Sequence, residues 1–345
     1  MAKTALITGI TGQDGGHLAK LLHEKGYEVY GIIRGQHNPR RKEVEQEFPY
    51  VKLIEADLTD VSSLVRAMQT AKPDEVYNLA AISHVGYSFK DPQLTADVTG
   101  KGVINMLEAI RLTDPKNKVR FYQASTSEMF GGLDYNRPGK GYTEESVFHP
   151  RSPYGVAKLY GYWITKNYRE SYDMFALSGV LFNHEGERRG LEFVTRKITD
   201  AVARIKLGLQ DHLELGNMDS KRDWGYAGDY VEGMWLMLQQ DKPEDYVLAS
   251  GETHSVREFV ERAFEAVDME VEWRGEGEDE KGYDKKTGKM LVSINPYFYR
   301  PAEVDILLGD PSKAEKELGW KRKVDFPGLV KLMVEHDLAL LSKRK

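Results

Sequence analysis

The sequence predicts an α/β protein: a mostly parallel sheet with helices on both faces, followed by a smaller, interleaved carboxyl-terminal part. Three observations carry that expectation. Short apolar runs alternate with stretches of helical periodicity through the first half of the chain, the order that lays down a parallel sheet and its crossover helices. A glycine-rich turn joins the first apolar run to the first helical stretch. Beyond Asn183 the strict alternation fades.

Taken in order, Thr4 to Thr8 reads as a strand, and Leu18, Leu21 and Leu22 mark one face of a helix. That helix is expected to stop near Gly26, because glycine suits a left-handed carboxyl-terminal position. Further strands are expected at Tyr27 to Ile33, Val51 to Ile54, Glu75 to Leu79, Arg120 to Gln123 and Phe175 to Phe182, with a helix over Gly100 to Leu112. The polar, glycine-rich stretch from Arg274 to Lys289 predicts an exposed excursion. Residues 213–238 again read as strand, loop and apolar helix. The division expected is therefore 1–182 and 183–345, with about 213–240 returning to the first part.

Composition limits the setting. The chain has 345 residues, 41% hydrophobic and 30% charged, enough for one large or two intimate domains. Lys and Arg total 48 against 54 Asp and Glu, a net charge of -6, so no global field favours nucleic acid or an anionic membrane. With no cysteine there are no disulfides and no thiolate metal sites, and the scattered histidines imply no metal. No apolar run reaches the roughly 18 residues of a membrane helix, and the first residues run straight into a strand instead of a signal peptide, so the expected compartment is the cytoplasm.

Within TGITGQDG the glycines are Gly9, Gly12 and Gly15. A strand-to-helix turn of residues without a β-carbon lets backbone amides approach a pyrophosphate at the positive end of the helix, as in a Rossmann-like dinucleotide site. At the end of the second strand a carboxylate would accept a ribose 2'-hydroxyl, whereas a cation accommodates a 2'-phosphate. Arg34 stands there, with no carboxylate between Glu28 and Glu43, so NADP is favoured over NAD. Asp57 and Leu58 are placed to flank the adenine, although Asp57 suits a helix cap equally well. Residues 78–84, NLAAISH, are placed near the nicotinamide half.

In RSPYGVAK, Ser152 can cap a helix with Pro153 as its first residue, so Tyr154 and Lys158 share a face one turn apart. A lysine beside a phenol is expected to lower its pKa from about 10 and make the pair an acid and base. QASTSE follows a predicted strand at the carboxyl end of the sheet, where ligands of such folds bind. There Thr126 can donate to a sugar hydroxyl, and Glu128 is a candidate general acid and base.

These blocks, with NLAAISHV, LFNHE, EFVTRKIT, LGNMDSKRDWGYAGDYV and YFYRPAEVDILLGDP, resemble the GDP-mannose 4,6-dehydratases of the extended short-chain dehydrogenase/reductase superfamily. The resemblance implies a Rossmann domain for NADP and a smaller domain for the nucleotide sugar. It implies that Thr126, Glu128, Tyr154 and Lys158 are catalytic. Around NADP it places Gly9, Ile10, Thr11, Gly12, Gln13 and Asp14, then Arg34, Asp57, Leu58, Leu79, Ala80, Ala81 and Ser83, with Tyr154, Lys158, His184 and Arg189. On the substrate side it places Ser83, Asn183, Val194, Lys197, Leu215, Gly216, Arg222, Arg300 and Glu303.

The implied reaction is NADP-dependent dehydration of GDP-mannose to GDP-4-dehydro-6-deoxy-D-mannose, a step toward GDP-fucose or GDP-rhamnose, by a homodimer or homotetramer. A nucleotide-sugar epimerase or 4-reductase would share the glycine turn and the Tyr-Lys pair, but neither needs a carboxylate to remove a C5 proton. Dehydration of a GDP-heptose and a noncatalytic NADP-dependent sensor are the other readings. Three departures stand out: a shortened segment after the second strand, Leu94 where relatives often carry tyrosine, and Ala80 in place of a common glycine.

Overall fold

The computed structural model describes residues 2–35, 37–132, 141–298 and 306–343. Seven parallel strands form its central sheet: β1 (Thr4–Thr8), β2 (Glu28–Ile33), β3 (Lys52–Glu55), β4 (Glu75–Asn78), β5 (Arg120–Thr126), β6 (Ala176–Leu181) and β7 (Tyr246–Leu248). Their spatial order is β7-β6-β5-β4-β1-β2-β3, so the chain reverses direction across the sheet between β1 and β4. In open α/β sheets ligands bind at such a reversal, beyond the carboxyl ends of the strands.

The longer helices are α1 (Gln13–Glu24), α2 (Val61–Ala71), α3 (Gly102–Thr113), α4 (Pro153–Tyr172), α5 (Val194–Lys206), α6 (Ala227–Leu238), α7 (Val256–Glu265) and α8 (Phe326–Ser342). On one face of the sheet, Leu18 and Leu22 of α1 pack with Tyr230, Met234 and Leu238 of α6. On the other, Leu64 and Met68 of α2 meet Met106 and Ile110 of α3. The inner strands β4, β5 and β6 are buried on both faces and therefore read as near-continuous runs, whereas the edge strand β3 is not.

A second core joins Ile198 and Val202 of α5, Phe259 of α7 and Val330 and Met333 of α8 to a four-stranded sheet. That sheet runs Val271–Arg274, Lys281–Asp284, Met290–Ile294, Leu213–Leu215, with only the last pair parallel. Two expectations need correction. The segment from Arg274 to Lys289 is exposed over most of its length as expected, but Lys281–Asp284 within it is a strand of this sheet, with Gly282 and Asp284 buried. Of residues 213–240, only the helical end packs on the central sheet, while Leu213 and Leu215 lie in the second core.

Candidate active site

The glycine turn is tight for stated reasons. Gly9 has φ +75, and a β-carbon there would stand 2.8 Å from the Ala80 nitrogen. A β-carbon on Gly15 would collide with the Gly9 carbonyl oxygen, so both positions need glycine. Ile10 is fully buried beneath the turn, Thr11 and Gly12 line it half-buried, and α1 starts at Gly12 with no side-chain cap. Its first amides are thus left to a ligand, at the positive end of the helix dipole.

Leu79 and Ala80 are held to the same turn, since both backbone amides donate to Thr8 Oγ1 at 3.0 Å. Ala81 is half-buried and Ser83 exposed in the loop that follows. Asp57 Oδ1 accepts from the amide and hydroxyl of Thr59, both at 2.8 Å, while Asp60 caps α2 through the Ser62 amide. Asp57 therefore folds its own loop, and the cap falls to its neighbour. Leu58 is buried, its carbonyl accepting from Asn105 at 2.6 Å.

Past β2, Arg40 pairs with Glu43, and Arg41 with Glu45 and Glu55. Arg34 is exposed and has no carboxylate partner among the described residues. The short segment folds back on its own chain: Glu47 pairs with Arg188, whose guanidinium lies 4.9 Å from the Phe48 ring.

The next group gathers where β5 and α4 meet. Ser152 Oγ accepts the Gly155 amide at 3.0 Å, with Pro153 at the first turn, so the expected cap starts α4. Tyr154 and Lys158 are consequently buried on its inner face. Thr126 ends β5, and its hydroxyl accepts the Glu128 amide at 3.3 Å, turning the chain so that Glu128 is buried beside it. Thr126 is close enough to Tyr154 to favour its phenolate.

Lys158 Nζ donates to the Ala124 carbonyl at 2.7 Å and lies 5.8 Å from the Tyr154 ring centre. Burial pulls the Lys158 pKa down to about 8, with the Asp14 charge opposing. Tyr154 departs from expectation. Burial drives its phenol well above the usual range, Thr126 and Arg189 only partly offset this, and the nearby Glu128 charge adds to it.

His184 and Arg189 arrive from beyond β6. His184 Nδ1 donates to the Phe182 carbonyl at 2.8 Å, and its Nε2 lies 2.9 Å from Asp14 Oδ2. Arg189 Nε pairs with buried Glu185 at 3.0 Å, and its guanidinium stacks 3.6 Å from the Phe193 ring centre.

On the substrate side, Lys197 sits 3.3 Å over the Phe298 ring, and a β-carbon on Gly216 would be 2.8 Å from the Phe298 carbonyl oxygen. Leu215 accepts the Asn295 amide at 2.7 Å, which brings this loop alongside. Burial lowers the Lys197 pKa, against the Glu214 charge. Asn183 pairs with Trp224 in a short parallel strand pair, and Val194 opens α5. Arg222 is buried in the strand pair with His254, its Nη1 donating to the Lys221 carbonyl at 2.9 Å. Arg300 and Glu303 lie outside the described residues.

Three supports were not legible beforehand. Phe193 braces Arg189. Asp223 accepts the Ser250, Gly251 and Gly309 amides, and burial raises its pKa to about 6 even so. Arg196 donates to the carbonyls of Glu187 and Arg189 and pairs with Asp337. No local pattern in the sequence marks any of the three.

Over residues 6–333 the chain matches the family described as GDP-mannose 4,6 dehydratase. It is 52% identical to the GDP-mannose 4,6 dehydratase of Drosophila melanogaster, over 99% of this chain and 87% of that protein. Identity to the Homo sapiens GDP-mannose 4,6 dehydratase is 51%, over 98% and 92%. A Thermus thermophilus UDP-glucose 4-epimerase in complex with NAD superposes with a TM-score of 0.80 at 26% identity, covering 97% of this chain and 98% of that one. RMD from Pseudomonas aeruginosa, complexed with NADPH, shares the fold at a TM-score of 0.76 and 21% identity, over 98% and 100%. The chain belongs to the GDP-mannose 4,6-dehydratase family, within the extended short-chain dehydrogenase/reductase superfamily.

Proposed function

We propose that this hydro-lyase works with NADP and that Thr126, Glu128, Tyr154 and Lys158 carry the chemistry. The observation that carries the reading is the buried cluster at the carboxyl end of β5, where a carboxylate, a phenol, a hydroxyl and an ammonium converge. The cleft suits a dinucleotide. Its glycine turn leaves no room for β-carbons, and the buried Gln13 Oε1, Asn183 Oδ1 and Ser125 Oγ lack partners among the described residues. The residues that would hold NADP are Gly9 through Asp14, Arg34, Asp57, Leu58, Leu79, Ala80, Ala81, Ser83, Lys158, His184 and Arg189. Unpaired Arg34 favours a 2'-phosphate.

When bound, NADP+ supplies the hydride acceptor that is restored at the end of each turnover. Tyr154, beside Thr126, takes the C4 hydroxyl proton of GDP-mannose, and a charged Lys158 one turn away favours the phenolate against the burial that raises its pKa. The C4 ketone acidifies C5. Glu128 takes the C5 proton and delivers it to the departing C6 hydroxyl, which leaves as water; C6 then takes back the hydride and C5 a proton, the equivalent of the one Tyr154 removed. Lys197, Arg222, Arg300 and Glu303, with Ser83, Asn183, Val194, Leu215 and Gly216, form the substrate side, the cations answering the diphosphate.

Exposed Val156, Tyr160 and Trp163 form a row on α4, which supports a homodimer or a homotetramer built from it. No described helix is long and apolar enough to cross a membrane, in keeping with work in the cytoplasm. The test is mass analysis of GDP-mannose after incubation with the protein and catalytic NADP+. Loss of one water without accumulation of NADPH supports the reading, and unchanged sugar mass refutes it.

A further inference from the structure

Gln13, Asp14 and His184 form a hydrogen-bonded chain whose two ends, at the Phe182 and His184 carbonyls, have fixed directions. The Phe182 carbonyl can only accept, so His184 Nδ1 carries a proton. Asp14 Oδ1 accepts from Gln13 Nε2 at 3.1 Å, and Oδ2 lies 2.9 Å from His184 Nε2. Because Asp14 is held ionised and the His184 pKa is raised, Nε2 donates as well, and the side chain is an imidazolium with neither nitrogen left for a ligand. Its ring plane is set by Tyr230, stacked 4.7 Å away at 16°.

The same logic fixes the Gln13 amide. Its Nε2 donates to Asp14 Oδ1 and also to the His184 carbonyl at 3.0 Å, so its oxygen points the other way. That oxygen is buried without a partner among the described residues. It stands at the first turn of α1, beside the glycine turn.

We infer that His184 is a positioning residue: its imidazolium fixes Asp14, and through Asp14 the Gln13 amide, so that Gln13 Oε1 is a preset acceptor for a donor group of the dinucleotide. The inference rests on the cofactor reading above and gives the His184 side chain a role in place of direct contact. It also resolves a charge conflict, because a lone carboxylate at the start of α1 would repel a diphosphate.

The electrostatics agree. Burial disfavours the His184 charge, but Asp14 outweighs it and raises the pKa, while Arg189 works against it. The Asp14 carboxyl is held well below the usual range by His184, Gln13 and Arg189, despite burial. His17 feels both groups. Tyr122, Tyr154 and Lys158 face Asp14 from β5 and α4, and Tyr230 faces Glu185 from α6. Since the folded value of His184 is raised, the charged pair is complete below the ordinary histidine range and is lost as pH rises through the raised value. The Asp14 half fails only in strong acid.

The experiment combines nitrogen NMR of the His184 ring in the free protein with calorimetric NADP+ binding across pH, for wild type, His184→Gln and Asp14→Asn. Expected are two protonated ring nitrogens at neutral pH in wild type and one in Asp14→Asn. His184→Gln should bind NADP+ about tenfold more weakly at neutral pH, the loss of one charge-assisted hydrogen bond, and should lack the alkaline step that His184 adds to that of Lys158. A singly protonated wild-type ring, or His184→Gln with wild-type affinity and pH profile, overturns the inference alone. A doubly protonated ring in a wild-type protein that binds no NADP+ overturns the cofactor reading and the role given to Gln13 Oε1.

Discussion

The β5–α4 side of the site and the carboxyl-terminal side hold their residues by different means. Around β5 and α4 the fixing hydrogen bonds span 2, 3 and 34 residues: Thr126 to Glu128, Ser152 to Gly155 and Lys158 to Ala124. Across the cleft, Arg196 reaches Asp337 over 141 residues and Thr199 reaches the same carboxylate over 138. One side is preorganised by a strand end and a capped helix, elements whose geometry follows from local sequence. The other depends on a buried ion pair that exists only once α5 and α8 have packed. Local construction fixes the end of β5 and the start of α4 through near neighbours in the chain, whereas distant construction couples the 186–190 loop to the last helix.

The sharpest way to break this contrast is on the chemical side. Glu128→Gln should lower turnover by about a hundred- to ten-thousand-fold, the usual loss for a general acid and base, with binding of GDP-mannose largely kept. Steady-state rates and calorimetry together check it. Near-normal turnover would remove Glu128 from the chemistry, and global unfolding would show that this side is no more self-contained than the other.

Asp337→Ala tests the opposite side. Leaving Arg196 buried and unpaired should cost about 3–5 kcal/mol of stability, read by denaturant unfolding. It should also loosen Arg189, whose carbonyl Arg196 holds. Stability unchanged within about 0.5 kcal/mol would mean that the pair is not what fixes this body.

Smaller again is the effect of Arg34→Ala. Loss of one exposed charge-assisted contact should weaken NADP+ about tenfold and leave NAD+ nearly unchanged. Equal weakening of both would assign Arg34 to the fold and not to the 2'-phosphate.

Much of the first body was legible because burial on both faces of a parallel sheet writes itself as apolar runs. Boundaries slipped where polarity misled. The run ending at Gln123 continues as strand to Thr126, since Ser125 and Thr126 pair with Val180 and Leu181 although their side chains are polar. Lys281–Asp284 was hidden inside an otherwise exposed excursion because a short alternating strand in a small sheet shows mostly its polar face. The cap at Ser152 was readable from spacing alone. The state of Tyr154 was not: the lysine one turn away was visible, but the burial that outweighs it is a property of the assembled fold. The same holds for Asp223, Phe193 and Arg196, whose roles emerge only with tertiary packing.

The central claim is dehydration with hydride returned within one turnover, Glu128 moving the C5 proton. The most direct test follows GDP-mannose deuterated at C4 through reaction with catalytic NADP+. The expected product is lighter by one water and keeps its deuterium, now on C6. A C4 epimer of unchanged mass, or a dehydrated product whose deuterium has been lost to solvent, would contradict it.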